Sequence, residues 1–283
     1  MSRYAELAAY SLTGAERAAP ARSTPERPGL VIALHGLTGD STQPLNLLAG
    51  FAAPTFAVLA PDLRAHGDTR FDGEPDDFTR TQLADDVVDL VAHLGLRPEV
   101  VRVVGISLGA AVALELTRRA ELPIDRAVFV RPAHLTETPL HLRSNLTIAR
   151  LLREDPTTAL ERLLETADYR AVAAVSAKAA AGLRLKVTKP RSAERVLRLE
   201  HGTNWTAFDA DSVTPTDVAS LVVGAHADPL HPVAIAEEWH RRLPGSRLAL
   251  LPAYDADPEE HGRQTRALVQ NFLGAPLRST ARP

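Results

Sequence analysis

The nine residues Val103-Val104-Gly105-Ile106-Ser107-Leu108-Gly109-Ala110-Ala111 constrain this chain more than any other stretch. They read as a buried strand, a sharp turn and a buried helix, with one serine at the apex and a glycine two residues to each side. This is the G-x-S-x-G nucleophile-elbow pattern in the strand–turn–helix context that the pattern requires. The turn holds the serine in strained backbone geometry, and the two glycines let the incoming strand and the outgoing helix approach without a side-chain clash. Ser107 then projects beside a helix N-terminus, where free N–H groups and the helix dipole favour developing negative charge. The same pentapeptide is also compatible with a plain strand–helix turn that happens to hold a serine, so its meaning depends on the rest of the chain.

Around it, short apolar runs alternate with amphipathic stretches. Leu30–Leu34, Phe56–Ala60, Val100–Val104 and Ala127–Val130 read as strands buried on both faces. Between them, Pro44–Ala52, Phe78–Leu94 and Leu108–Ala120 read as helices. An edge strand is expected near the N-terminus, followed by a surface loop over Ala18–Pro28. Strands alternating with helices predict βαβ units and a mostly parallel central sheet covered on both faces. The rhythm breaks between about Pro132 and Thr214, where only helical patterns occur: Asn145–Arg153, Thr157–Leu183 and Ala193–Glu200. It resumes with strands at Leu221–Val223 and Leu248–Leu251, a helix at Val233–Leu243, and a last helix opened by His261. The predicted organisation is an α/β core made of residues 1–132 and 215–283, with a helical cap over 133–214. The tail after Gly274 reads as frayed.

Composition narrows the function classes. The chain has 283 residues, a net charge of −3 and no cysteine. That excludes a disulfide framework, a thiolate zinc site and a cysteine nucleophile, and it fits a reducing cytoplasm. Nothing in the charge balance calls for nucleic acid. No apolar run is long enough to span a bilayer, and Met1–Leu12 does not read as a signal peptide. No metal or organic cofactor is expected.

A serine hydroxyl needs a base, and the base needs an orienting group. In a parallel sheet such groups collect at the carboxyl ends of the strands. Asp228 follows the Leu221–Val223 strand and His261 follows the last strand. The order Ser107, Asp228, His261 therefore predicts a triad with His261 as general base. Asp228 also has the bland reading of a turn residue before Pro229, and His261 that of a surface histidine at a helix start. Asp255 and Asp257 are rival acids. His226 and His231 are rival bases, set lower because they flank the acid and do not follow the last strand. Two backbone donors are needed for an oxyanion. The expected pair is the N–H of Leu108, after the nucleophile, and that of Leu37, in the glycine-rich turn after the first core strand. His35 is expected to be structural.

Five segments now agree in order: LHGLTG at 34–39, PDLRAHGDT at 61–69, GISLG at 105–109, DPLHP at 228–232, and His261 before the last helix. Together they resemble the α/β-hydrolase fold family with an inserted helical cap, over about residues 29–273. Within PDLRAHGDT, Ala65 and Thr69 stand where the family has glycine and serine, and Ala225 stands where many members have glycine. The resemblance implies the α/β-hydrolase fold, with the cap inserted after the sixth strand. It also implies Ser107, Asp228 and His261 as the triad and Leu37 and Leu108 as the oxyanion donors. The expected function is a cytoplasmic serine hydrolase, monomer or homodimer, acting on an ester, thioester, lactone or amide of a small acyl substrate. Members of this fold that cleave C–C bonds or act as perhydrolases or lyases are the first alternative, and a non-catalytic ligand-binding member is the second. Within the cap, residues 170–198 hold eight Lys or Arg against one acid, Glu194. That is either a basic rim for an anionic acyl substrate or a solvated basic face. Trp205 and Phe208 either line the pocket or pack cap against sheet.

Overall fold

The computed structural model describes residues 2–14, 29–51, 55–135, 140–203, 205, 207–208 and 217–275. The expected loop at 18–28 lies outside them, as does the expected frayed tail beyond residue 275.

The strands are β1 (Tyr10–Thr13), β2 (Gly29–Leu34), β3 (Phe56–Pro61), β4 (Val100–Ile106), β5 (Ile124–Val130), β6 (Ala219–Ala225) and β7 (Arg247–Leu251). They form one sheet in the order β1-β3-β2-β4-β5-β6-β7, with β1 antiparallel to β3 and the other pairs parallel. Every residue of β2, β4 and β6 is buried, as continuous apolar runs require. Alternation along β2 divides the core. Leu30, Ile32 and Leu34 pack on one face with helices α1 (Arg3–Leu7), α3 (Arg80–His93), α4 (Leu108–Arg119) and α10 (Val233–Arg242). Val31 and Ala33 pack on the other face with α2 (Thr42–Leu47) and α11 (Pro258–Gly274). Arg102 interrupts the apolar run of β4. Its guanidinium lies 4.3 Å over the Phe56 ring and hydrogen-bonds Asp125 and the Leu273 carbonyl, so the buried charge is partnered.

Five strands, not six, precede the helical segment among the described residues. That segment comprises α5 (Arg143–Glu154), α6 (Ala159–Glu165), α7 (Ala167–Val175), α8 (Ala177–Thr188) and α9 (Leu197–His201). Its apolar residues, including Ile148, Leu163 and Leu183, form a hydrophobic cluster separate from the two sheet cores. The expected helix over Thr157–Leu183 is broken twice. Thr166 and Ser176 adopt extended backbone, and each hydroxyl accepts an N–H of the following turn, from Tyr169 and Ala179. Alanine-rich periodicity runs across both positions, and the caps decide where the breaks fall. No helix among the described residues is long and apolar enough to cross a membrane.

Candidate active site

The turn between β4 and α4 fixes Ser107 at φ 54° and ψ −109°, a left-handed backbone that a side-chain-bearing residue adopts only when its surroundings force it. The surroundings here do so. Ser107 N–H donates to the Val130 carbonyl at 3.0 Å, which holds the apex to β5. A Cβ on Gly105 would collide with the backbone carbonyl of Gly109. A Cβ on Gly109 would sit 2.6 Å from the carbonyl oxygens of Leu34 and His35. The two glycines are therefore required for strand, helix and the 35–39 loop to come together.

The histidine beside Ser107 is His231, not His261. His231 Nε2 lies 2.9 Å from Ser107 Oγ, and His231 Nδ1 lies 2.9 Å from Asp228 Oδ2. His261 does not bridge the two. Its Nδ1 lies 2.9 Å from the Pro252 carbonyl, with the ring edge-on to Tyr254. The reason is local. After β7 the chain makes a short 3₁₀ turn at Tyr254–Ala256, and Asp257 caps α11, its carboxylate accepting Glu260 N–H at 3.0 Å. His261 is thereby built into the first turn of α11, where it forms part of the cavity wall. His231 instead sits three residues after Asp228 in a turn that Asp228 organises. Asp228 Oδ1 accepts the N–H groups of Leu230 and His231 at 3.0 and 3.1 Å, and the His231 ring folds back onto Oδ2.

The electrostatics define the tautomer. Burial alone would raise the Asp228 carboxyl. The charge and hydrogen bond of His231, the Arg131 guanidinium at 3.7 Å and the Leu230 N–H outweigh it, and hold the group well below the usual carboxylate range. An ionised carboxylate only accepts, so neutral His231 carries its proton on Nδ1 and presents a bare Nε2 to the Ser107 hydroxyl.

The rival acids have other tasks. Asp255 accepts from the Ser176 hydroxyl at 2.6 Å and from Lys178 N–H at 3.1 Å, which ties the start of α8 to the loop after β7. Asp257 is the cap of α11. His226 is exposed. Leu37 and Leu108 both line the cavity that contains Ser107, and neither N–H has a hydrogen-bond acceptor among the described residues. His35 is buried and braces the loop that carries Leu37. Its Nε2 accepts Leu63 N–H at 3.0 Å and its Nδ1 meets the Gly36 carbonyl at 2.8 Å, while burial pushes the ring toward its neutral form.

The 61–69 loop is a second brace. Asp62 accepts N–H groups from Ser41 at 2.6 Å and Asp68 at 2.8 Å, and Thr69 donates its hydroxyl to the Asp62 carbonyl at 2.6 Å. Ala65 has φ 56°, so the position does call for a glycine-like backbone, and alanine fills it at some strain. Thr69 keeps the hydroxyl its role needs.

The basic stretch 170–198 is divided: Arg170, Lys178, Arg184 and Arg191 are exposed, while Arg195 and Arg198 are buried. Arg195 donates to the carbonyls of Gly67 and Thr69 at 2.8 and 2.7 Å and to Asp72 at 3.0 Å. Arg198 donates to the Ala65 carbonyl at 2.6 Å and Lys189 to the Thr38 carbonyl at 2.9 Å. These cations fasten the inserted helices to the loops of the core. Trp205 and Phe208 also pack inward, Trp205 donating to the Phe78 carbonyl at 2.7 Å and Phe208 lying against Trp239.

Between the inserted helices and the carboxyl ends of the strands lies a cavity of about 550 Å³, walled by Ser107, His231, His134, Leu142, Lys186 and others. His134 is buried there and pushed down to about 4 by burial, so it is neutral near pH 7. Among the described residues, no group of three or more His, Asp or Glu side chains is placed to hold a metal ion.

Residues 29–260 match the sequence model of the alpha/beta hydrolase fold family. The pimeloyl-[acyl-carrier protein] methyl ester esterase of Aromatoleum aromaticum is 30% identical over 241 residues, 79% of this chain and 88% of that protein. An uncharacterised protein of Mycobacterium tuberculosis is 31% identical over 107 residues, and the match spans 38% of this chain and 30% of that relative's length. Among solved structures, the alpha/beta hydrolase MGS-M2 from a Medee basin deep-sea metagenome superposes with a TM-score of 0.71 at 18% identity, over 97% of each chain. This chain belongs to the α/β-hydrolase fold family.

Proposed function

We propose that this chain is a serine hydrolase that cleaves a carboxylic ester of a small molecule through an acyl-enzyme, with Ser107 as nucleophile, His231 as general base and Asp228 as its orienting acid. The observation that carries the proposal is the pair of 2.9 Å contacts that place His231 between Asp228 and Ser107. Ser107 Oγ attacks the ester carbonyl and its proton passes to His231 Nε2. Asp228, already ionised, stabilises the imidazolium through Nδ1–H. The tetrahedral oxyanion is received by the N–H groups of Leu37 and Leu108 at the start of α4, where the helix dipole adds to the donors. His231 then protonates the leaving alcohol. A water activated by the same nitrogen releases the acid and restores Ser107. Helices α5–α9 act as a cap: they roof the cavity and exclude bulk water from the oxyanion. The esterase from Aromatoleum aromaticum supports an ester as the bond cleaved.

The test is direct. Purified protein incubated with p-nitrophenyl acetate is expected to release p-nitrophenol with a burst, and rapid acid quenching followed by peptide mass analysis places one acetyl group on Ser107. Steady release with no acetylated peptide would contradict the acyl-enzyme, and acetylation of another residue would contradict the nucleophile.

A further inference from the structure

The cavity holds a cation that the hydrolytic chemistry does not use. Lys186, on α8, lines the same cavity as Ser107 and His231. Its ammonium donates to Asn145 Oδ1 on α5 at 2.5 Å, and Asn145 is itself buried in the cavity wall. No carboxylate among the described residues pairs with it. The other cations of this region are committed. Lys189 lies 3.3 Å from Asp40, Arg191 and Arg195 pair with Asp72, Arg131 faces Asp228, and Lys178 lies 5.0 Å over the Tyr254 ring.

A half-buried ammonium whose protein partner is a neutral amide is only partly compensated for the water it loses. Burial, assisted by the charge of Arg198 and opposed by that of Asp228, pushes Lys186 down to about 8, so it keeps most of its charge near neutrality. Asn145 fixes the ammonium in place and leaves its other two N–H donors for something else. Among the described residues no carboxylate forms an ion pair with this ammonium, and the cavity it lines also contains Ser107.

We propose that Lys186, held by Asn145, is a carboxylate-binding subsite, and that the substrate is an ester bearing a carboxylate that docks between α5 and α8 while its ester carbonyl lies at Ser107. This specificity assignment rests on the serine-hydrolase reading. Lys186 is a binding residue here and takes no part in the chemical steps.

The experiment pairs two p-nitrophenyl esters of equal chain length, the monoanionic hydrogen glutarate and the neutral pentanoate, on the wild type, Lys186→Met and Lys186→Arg. Lys186→Met is expected to lower the ratio of kcat/KM, anionic over neutral, by about tenfold or more, mainly through KM, the size expected for a charge-assisted hydrogen bond. Lys186→Arg retains part of the preference. An unchanged ratio, with both esters slowed alike, would assign Lys186 a structural role and overturn the subsite. Titration calorimetry with glutarate reads the same site without catalysis. Glutarate is expected to bind the wild type and to bind Lys186→Met at least tenfold more weakly. Failure of turnover with this binding pattern intact would sink the hydrolase reading alone. Equal binding to both proteins, or none to the wild type, would sink the subsite.

Discussion

Ser107→Ala is expected to reduce kcat for ester hydrolysis by about a million-fold, to the level supported by the oxyanion donors alone. The substitution removes one oxygen and leaves everything else. Alanine keeps the Cβ, so the strained backbone at φ 54° is neither relieved nor worsened. The hydrogen bond from residue 107 N–H to the Val130 carbonyl is also unaffected. A thermal unfolding midpoint within about 2 °C of wild type, measured by calorimetry, accompanies the loss. Activity retained within about tenfold would mean that a different group carries the acyl chain.

His231→Ala is expected to cost about as much, because serine and histidine act as a unit and losing either removes the activated nucleophile. His261→Ala is expected to leave kcat/KM within about fivefold of wild type. Its ring meets the Pro252 carbonyl and Tyr254, and truncation creates a cavity that costs stability in place of rate. The two variants are therefore expected to separate in opposite senses: one stable and inactive, the other active with a lowered melting temperature. Initial rates on p-nitrophenyl esters, with melting curves on the same preparations, make the comparison. A large rate loss in His261→Ala with activity retained in His231→Ala would restore the order-based assignment.

The elbow, the two braced loops and the parallel character of the sheet are legible in the sequence because they rest on local requirements. Gly105 and Gly109 are there because backbone from three elements meets at Ser107, and any side chain would obstruct it. The parallel strands are legible because most of their residues form short apolar runs, which β2, β4 and β6 bury on both faces. The helices between β5 and β6 are less so. Their alanine-rich periodicity runs through Thr166 and Ser176, and only cap geometry reveals the breaks.

The histidine that lies beside Ser107 is the least legible feature. Chain order points to a histidine after the last strand, but Pro252–Asp257 contains none, and His261 comes ten residues beyond Leu251, inside α11. What brings His231 to Ser107 is a tertiary fact. The 228–231 turn is folded by Asp228 accepting two N–H groups, and it projects its histidine across β5 toward the elbow on β4. The spacing Asp228-Pro229-Leu230-His231 carries that signal, since residues three apart in a turn can face each other, and it names His231 as a rival without ranking it first. The basic stretch at 170–198 misleads for a similar reason. Composition counts cations, and most of these spend their charge on backbone carbonyls and on Asp72.

The central claim is that His231 activates Ser107. A fluorophosphonate reacts with a serine only when a neighbouring base makes it nucleophilic, so it reports that activation without depending on the natural substrate. Intact mass spectrometry after brief exposure is expected to show one phosphonyl group on the wild type and on His261→Ala, and none on Ser107→Ala or His231→Ala. Labelling of His231→Ala at the wild-type rate, or its loss in His261→Ala, would contradict the account.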